Sequence, residues 1–484
     1  MRPISSGIRA RRPARSRAGE AARDGRRGSS MIRSLRLLLG RFLGIVLTIG
    51  AGAGTSAAVT PRRPAAEARP NIVLILADDL GHGDVSFRGR KEWSTPNIDR
   101  LASRGAVLSR CYAGAVVCAP SRAALLTGKD TIHNGVRRND DDLPATEVTI
   151  AEALKARGYD TALFGKWHRG KPRPGAASAV HPMDQGFDEF FGFTDATHAW
   201  EKFPNKLWDG RKLVASSGHA DDLFADKAVS FIGRHRGGDR PFFLYLPFIA
   251  PHFHVEAPAD EVALHRGKLA EADPSQPLNA TYAAMVTRLD RNVGRVLEAL
   301  AANGVEGETL VVFASDHGAT FEKGNLGTSR ALDSNRPFRG QKRTLWEGGV
   351  RVPAIVAWPG RIRAGSAVDG PTRLTDLFPT LLAASGGTPD PSWRVDGVDL
   401  LPTLLGGASL PDRALFWEWR SEGANQVAAL RGRHKLVITG GGGPELYDVV
   451  ADPGERADLA AGSPDLVRRL RGELEDWLAT EIRR

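Results

Sequence analysis

Short unbroken runs of apolar residues, each closed by a polar residue, recur along this chain. Residues 71–77 read Asn-Ile-Val-Leu-Ile-Leu-Ala and break at Asp78-Asp79. Similar runs occupy 162–164, 242–247, 309–314 and 354–358. They are a few residues long and mostly rich in branched side chains, which predicts strands buried on both faces. Between them, 149–157 and 283–303 place apolar residues at helical spacing. Strands alternating with helices predict an α/β fold: a large, mixed but mainly parallel sheet sandwiched by helices. In such sheets ligands gather at the carboxyl ends of strands, so the polar residues just after each run are where chemistry is expected.

Beyond about residue 405 the pattern changes. Residues 414–419, 425–431, 434–439 and 445–448 read as short strands separated by turns, and a charged helix spans about 464–482. These predict a small antiparallel sheet with a closing helix. The expected organisation is a leader (1–58), a linker (59–69), a catalytic domain (70–405) and a C-terminal subdomain (406–484). No internal repeat is present.

Charge changes this picture only at the start of the chain. The formal charge is +10, but residues 1–58 alone carry 12 arginines against Glu20 and Asp24, leaving 54 basic and 54 acidic residues in the remainder. A neutral body argues against nucleic acid as a partner. Within the leader, Arg33, Arg36 and Arg41 precede an apolar stretch (42–49) and then small residues through Ala58. This predicts a secretory signal peptide, export to the periplasm or medium, and no stable membrane insertion after cleavage. The Arg-rich residues before Met31 are too long for the charged region of such a signal, so Met31 is the expected start. A retained anchor is the alternative, although 42–59 barely reaches spanning length. Only Cys111 and Cys118 are present. They could close one small loop, or one of them is kept for its reactivity.

The context of Cys118 favours reactivity. Cys118-Ala119-Pro120-Ser121-Arg122, followed by Leu125-Leu126-Thr127-Gly128, resembles the signature of the formylglycine-dependent (Cys-type) sulfatases, arylsulfatase-like members of the alkaline phosphatase superfamily. Ala119 stands where that family often has Thr or Ser. The resemblance implies an alkaline-phosphatase-like fold and hydrolysis of sulfate esters. It also implies oxidation of Cys118 to formylglycine by a formylglycine-generating enzyme. The hydrated aldehyde suits the reaction: one hydroxyl attacks sulfur, and deprotonation of the other then expels sulfate.

Further matches follow in order. Asp78 and Asp79 close the first run, and Asp316-His317-Gly318 follows the run 309–314. Alone, either pair reads as a turn or helix cap. Beside Cys118 they resemble the family's calcium site, implying Asp78, Asp79, Cys118, Asp316 and His317 as metal ligands, with calcium polarising the sulfate. Lys166 and His168 lie in Gly-Lys-Trp-His, His252 in Ala-Pro-His, and Lys342 five residues before Glu347-Gly348-Gly349. By resemblance, Lys166 and Lys342 clamp the sulfate, His168 hydrogen-bonds the hydrate, Arg122 orients it, and His252, or alternatively Asp316, protonates the leaving oxygen. Residues 95–101 also match, as do 445–448 with the Asp-Pro-Gly-Glu turn at 452–455, which by itself needs no functional explanation. The substrate class is a sulfated small molecule or sulfated glycan, with a pocket expected from 169–208, 254–276 and 321–339. Two rivals are a phosphodiesterase or phosphonate hydrolase on the same scaffold, and a non-catalytic calcium-dependent binder of sulfated glycans.

Overall fold

Both faces of the first apolar run are buried, which is why it lacks polar alternation. In the computed structural model, which describes residues 69–168, 180–421 and 424–481, this run is β1 (Asn71–Asp78). Its Val73, Ile75 and Ala77 belong to one core, and Ile72, Leu74 and Leu76 to another on the opposite face. The leader 1–58 and nearly all of the linker lie outside the described residues.

The remaining strands of this sheet are β2 (Ala106–Tyr112), β3 (Asp160–Lys166), β4 (Glu189–Phe193), β5 (Lys206–Asp209), β6 (Lys212–Ala215), β7 (Phe242–Pro251), β8 (Thr309–Ser315), β9 (Arg351–Val352), β10 (Ala354–Ala357) and β11 (Ser366–Arg373). They form one 11-stranded sheet in the order β11-β2-β10-β8-β1-β7-β3-β4-β5-β6, with β9 paired to β2. The centre, β8-β1-β7-β3-β4, is parallel throughout. β10 runs antiparallel to β8 and β2, and β5 and β6 close the other edge as an antiparallel hairpin. The expected mixed, mainly parallel sheet is therefore present, though wider than the apolar runs alone predict. β11 escaped the pattern because a bulge around Asp369-Gly370-Pro371 interrupts it, and β6 because it is largely exposed.

Helices Pro96–Arg104, Ala220–Arg234 and Leu278–Ala302 cover one face, and Cys118–Thr127, Ile150–Lys155 and Leu377–Ala384 the other. The predicted helix at 149–157 is shorter than expected. Thr149 caps it, accepting from the Glu152 amide while the Glu152 side chain accepts from the Thr149 amide, so two orphan donors of the first turn are satisfied. No helix among the described residues is long and apolar enough to cross a membrane.

The C-terminal strands β12 (Ala414–Ser421), β13 (Ala424–Arg431), β14 (His434–Thr439) and β15 (Pro444–Asp448) form an antiparallel meander. One face packs Leu470, Leu474 and Trp477 of the helix Pro464–Ala479. The other packs Leu415, Trp417 and Val437 against Tyr112, Val116, Val117 and Leu345 of the main body. Inside this junction lies a buried ion network. Lys435 bridges Glu347 at 2.9 Å and Glu455 at 3.1 Å, with all three side chains fully buried. Glu455 also accepts the Glu347 amide (2.7 Å), and the Tyr112 hydroxyl donates to Glu347 (3.1 Å). Glu455 belongs to the Asp-Pro-Gly-Glu turn. That turn has a structural part, delivering a buried carboxylate to the interface. Burial pushes the Glu455 carboxyl up to about 7, with Lys435 opposing and Glu347 adding to the rise. Cys111 and Cys118 form no bridge, and burial pushes the Cys111 thiol up to about 12, leaving it unreactive.

Removing Lys435 leaves two carboxylates buried without their cation. Lys435→Met is expected to lower unfolding free energy by roughly 3–5 kcal/mol, measured by urea unfolding; a change below about 1 kcal/mol would show that the network is dispensable.

Candidate active site

The four central parallel strands β8, β1, β7 and β3 all deliver polar residues to one sheet edge. β1 ends at Asp78 and is followed by Asp79; β3 ends at Lys166; His252 follows β7; Asp316 and His317 follow β8. Asp79 and His168 take left-handed backbone angles, φ 62° and 63°, turning the chain sharply as it leaves each strand. Opposite this edge stands the helix Cys118–Thr127, buried along its whole length, with Cys118 as its first residue. Its motif residues each have a partner. The Ser121 hydroxyl donates to the Asp316 carbonyl (2.6 Å), Asn139 Oδ1 accepts the Ala119 amide (3.1 Å), and Thr127 donates to the Ala123 carbonyl (2.8 Å). Gly128 ends the helix at φ 67°, where a Cβ would stand 2.8 Å from Phe378 and Val395.

All ten residues singled out from the sequence converge here, and all are buried. Cys118 Sγ lies 3.4 Å from Asp78 Oδ1, 3.3 Å from His317 Nε2 and 3.6 Å from Lys342 Nζ. Arg122 donates twice to Asp316 Oδ2 (3.1 and 3.0 Å) and once to the Lys166 carbonyl (3.0 Å). Lys166 Nζ donates to Asp78, and Lys342 Nζ to both oxygens of Asp79 at 2.9 and 3.1 Å. Asp316 Oδ1 accepts the amides of Asp79 and His317. His317 Nδ1 donates to the Gly318 carbonyl (3.0 Å) and His252 Nδ1 to the Phe253 carbonyl (2.7 Å), so each ring turns Nε2 inward.

The electrostatics are uneven. Burial alone would raise the Asp78 carboxyl, but Lys166, the His252 ring, Arg122 and Lys342 together hold it well below its usual range. Burial does raise Asp79, with Asp78 and Asp316 adding to the effect over Lys342 and His317. Burial should lower His317, yet Asp316 and Cys118 push it up to about 9. Lys342 and Arg122 are likewise raised against burial, chiefly by Asp79 and Asp316 respectively. The Asp79–Asp316–His317 side is thus short of positive charge. Ligand atoms of Asp78, Cys118, Asp316 and His317 lie within 4.8 Å of one another, and so do those of Asp78, Asp79, Cys118 and His252. Three carboxylates plus an inward imidazole nitrogen fit a divalent cation.

Lys342 is held by backbone packing. A Cβ on Gly318 would lie 1.8 Å from the Gly348 carbonyl, and one on Gly349 would lie 2.0 Å from the Thr344 carbonyl. These glycines let the 340–349 loop close over 318–319, where the Lys342 amide donates to the Ala319 carbonyl (3.1 Å).

Above Cys118 opens a cleft of about 990 Å³ that also exposes His168, His252 and Lys342. Of the segments expected to build it, 169–208 supplies 195–197 and Trp200, and 321–339 supplies Glu322. Residues 169–179 lie outside the described residues. Among the described residues 254–276 contributes nothing, and Trp208 packs beside His181 and the core instead. Sequence reading missed Arg138, Asn139, Asp140 and Asp142 and the β12–β13 hairpin residues Trp419, Arg420, Ser421 and Asn425. The polar run 137–142 soon after Cys118 was an available signal for the former; nothing local marks the latter.

A buried cysteine at a helix start, a carboxylate cluster, one lysine at a strand end and another on a neighbouring loop thus share one cleft. The family model described as "Sulfatase" matches residues 70–387. Steryl-sulfatase of Mus musculus is 33% identical, covering 81% of this chain and 78% of that protein. N-acetylgalactosamine-6-sulfatase of Canis lupus familiaris is also 33% identical, with 81% and 74% covered. The crystal structure of Ps i-CgsB with k-i-k-neocarrahexaose superposes with a TM-score of 0.77 at 30% identity, covering 85% of this chain and 93% of that one. The phosphonate monoester hydrolase of Agrobacterium radiobacter, with a TM-score of 0.64 at 23% identity and coverage of 86% and 96%, shares the fold. This chain belongs to the sulfatase family and is an enzyme of that class.

Because displacement of about 1 Å can cost on the order of 100-fold in rate, Gly318→Ala is expected to lower kcat for sulfate release by about that factor. Wild-type kcat in a folded Gly318→Ala protein would show that the loop tolerates the shift.

Proposed function

We propose that this enzyme hydrolyses sulfate esters of carbohydrates through a formylglycine made from Cys118, with calcium held by Asp78, Asp79, Asp316, His317 and residue 118. The observation that carries the reading is the placement of Cys118. It sits buried at the amino end of a helix, at the floor of the cleft, within 3.6 Å of Asp78, His317 and Lys342. Formylglycine supplies a hydrated aldehyde, a nucleophile that can also release the sulfuryl group it accepts. Calcium supplies Lewis acidity and a template for the sulfate oxygens.

The chain's own residues do the rest. Arg122 neutralises Asp316 and Asp78 and fixes the nucleophile's helix against β8. Lys166 and Lys342 face the position of the sulfuryl oxygens, and either lysine replaced by Ala should cost about 10²–10³ in kcat. His168 borders the cleft beside Cys118 and holds the hydrate. His252 turns Nε2 toward the leaving oxygen and donates from it as the imidazolium, the form protonated at both ring nitrogens. In the free site burial keeps that ring neutral, with Lys166, Lys342 and Lys202 reinforcing the effect against Asp78; a bound sulfate anion pulls the other way.

The carbohydrate reading rests on the cleft. Trp200 and Trp419 offer faces for sugar rings, and Arg138, Asp140, Asp195 and Glu322 offer partners for hydroxyls. Two of the similar proteins carry names that state a sulfated sugar or a carrageenan oligosaccharide. We place catalysis in 70–405 and part of the cleft wall in 406–484. The leader over 31–58 is read as an export signal, so the enzyme matures through a formylglycine-generating enzyme and works in the periplasm or medium.

Co-expressed with that converting enzyme, wild type is expected to release sulfate from 4-nitrophenyl sulfate, and Cys118→Ala to lose at least about 10³-fold. Chelation should abolish turnover and calcium restore it, while tandem mass spectrometry finds formylglycine at position 118. Equal turnover by the two proteins, or faster cleavage of an aryl phosphodiester, overturns the reading.

A further inference from the structure

Lys202 is fully buried, yet among the described residues no carboxylate forms an ion pair with it. Its ammonium donates one hydrogen bond, to the Phe253 carbonyl at 3.4 Å. That same carbonyl accepts the Nδ1–H of His252 at 2.7 Å. Burial brings the lysine down to about 8, with Asp221 and Asp78 pulling it back up. The surroundings grip the same segment. Asp221 accepts the amides of Ile249 and Ala250 (2.9 and 3.1 Å) just before His252, and the Trp200 carbonyl accepts the His254 amide (3.4 Å). The Lys202 carbonyl in turn accepts the Ala220 amide (2.8 Å) at the start of helix Ala220–Arg234. Lys202 is not among the residues lining the cleft.

Burying an unpaired cation costs stability, so this lysine is poorly explained as a structural element. The lysine's hydrogen bond fixes where the Phe253 carbonyl points, and with it the place of the imidazole that donates to the same oxygen. We infer that Lys202 is a positioning residue for His252, holding the imidazole through the Phe253 carbonyl with Nδ1 protonated and Nε2 directed at the ester's bridging oxygen. The inference rests on the reading of His252 as the leaving-group acid.

The test uses two aryl sulfates of like shape, 4-nitrophenyl sulfate, whose leaving group needs no proton, and 4-methoxyphenyl sulfate, whose leaving group does. Lys202→Met is expected to lower kcat on the methoxy ester by about 10–100-fold and on the nitro ester by less than about threefold, a share of what general acid catalysis supplies. KM should stay within about twofold, because Lys202 does not reach the cleft. His252→Ala should show the same selectivity more steeply. Tm should be unchanged or higher in Lys202→Met, since an unpaired buried charge is removed. Lys202→Gln keeps a donor to the carbonyl without the charge and should show a smaller selective loss; it is read in the same way if the Met variant is not recovered folded. Equal loss on both esters, or a fall in Tm of more than about 5 °C, assigns Lys202 a structural role and overturns the inference. So does no loss in Lys202→Met beside a selective His252→Ala. Indifference of His252→Ala to the leaving group removes the acid assignment, and the inference with it, while leaving the Cys118 reading intact.

Discussion

Three carboxylates, Asp78, Asp79 and Asp316, are buried together at the ends of adjacent parallel strands, where each charge needs an answering cation. Arg122, Lys166 and Lys342 provide it, and they come from a helix, a strand end and a loop that lie far apart in sequence. Pairing at hydrogen-bond distance obliges those three elements to meet within a few ångströms. The site is thus a balance of charge that the fold must close, and most of the surrounding architecture serves that closure. The balance is incomplete on the Asp79–His317 side, where carboxylates raise the neighbouring imidazole and lysine. That deficit is the physical opening for a divalent cation.

Closure is transmitted outward by backbone contact and by a second buried ion network. Gly318, Gly348 and Gly349 let one carbonyl-rich loop lie directly on another, which brings Lys342 to Asp79. Two residues before Gly349, Glu347 is fixed by Lys435 of the C-terminal sheet and Glu455 of the turn that follows it. The same short loop therefore joins the reaction centre to the C-terminal meander. That meander does more than brace the loop: its β12–β13 hairpin contributes Trp419 and Arg420 to the cleft wall. One element thus carries both part of the buried ion network and part of the cleft wall.

The His252 segment shows the opposite economy. Among the described residues no carboxylate forms an ion pair with the buried Lys202, and burying such a cation costs stability. Polar groups held at such expense tend to sit where chemistry requires a fixed orientation. Its shared carbonyl with His252 links that expense to the one group proposed to move a proton to the leaving oxygen.

Much of this molecule was legible in the sequence because it is written locally. Unbroken apolar runs such as 71–77 state that a strand is covered on both faces, and the polar residues closing those runs are the site residues, since a parallel sheet presents strand ends on one edge. Cys118 through Gly128 states a helix start, a candidate nucleophile and a left-handed stop. Strands β5, β6, β9 and β11 were not legible, being short, exposed or interrupted by a bulge, nor were β2 and β4, whose apolar runs are broken by Ser109-Arg110 and Gly192. Nor was the role of Glu455, whose turn looks ordinary until Lys435 arrives from another strand to meet it. The cleft wall from Arg138, Asn139, Asp140, Asp142, Trp419, Arg420, Ser421 and Asn425, and the approach of Lys202 to the Phe253 carbonyl, were decided only by tertiary structure. Sequence period reports which faces of one element are buried; which distant elements then share a carbonyl, a charge or a cavity depends on how those buried faces pack.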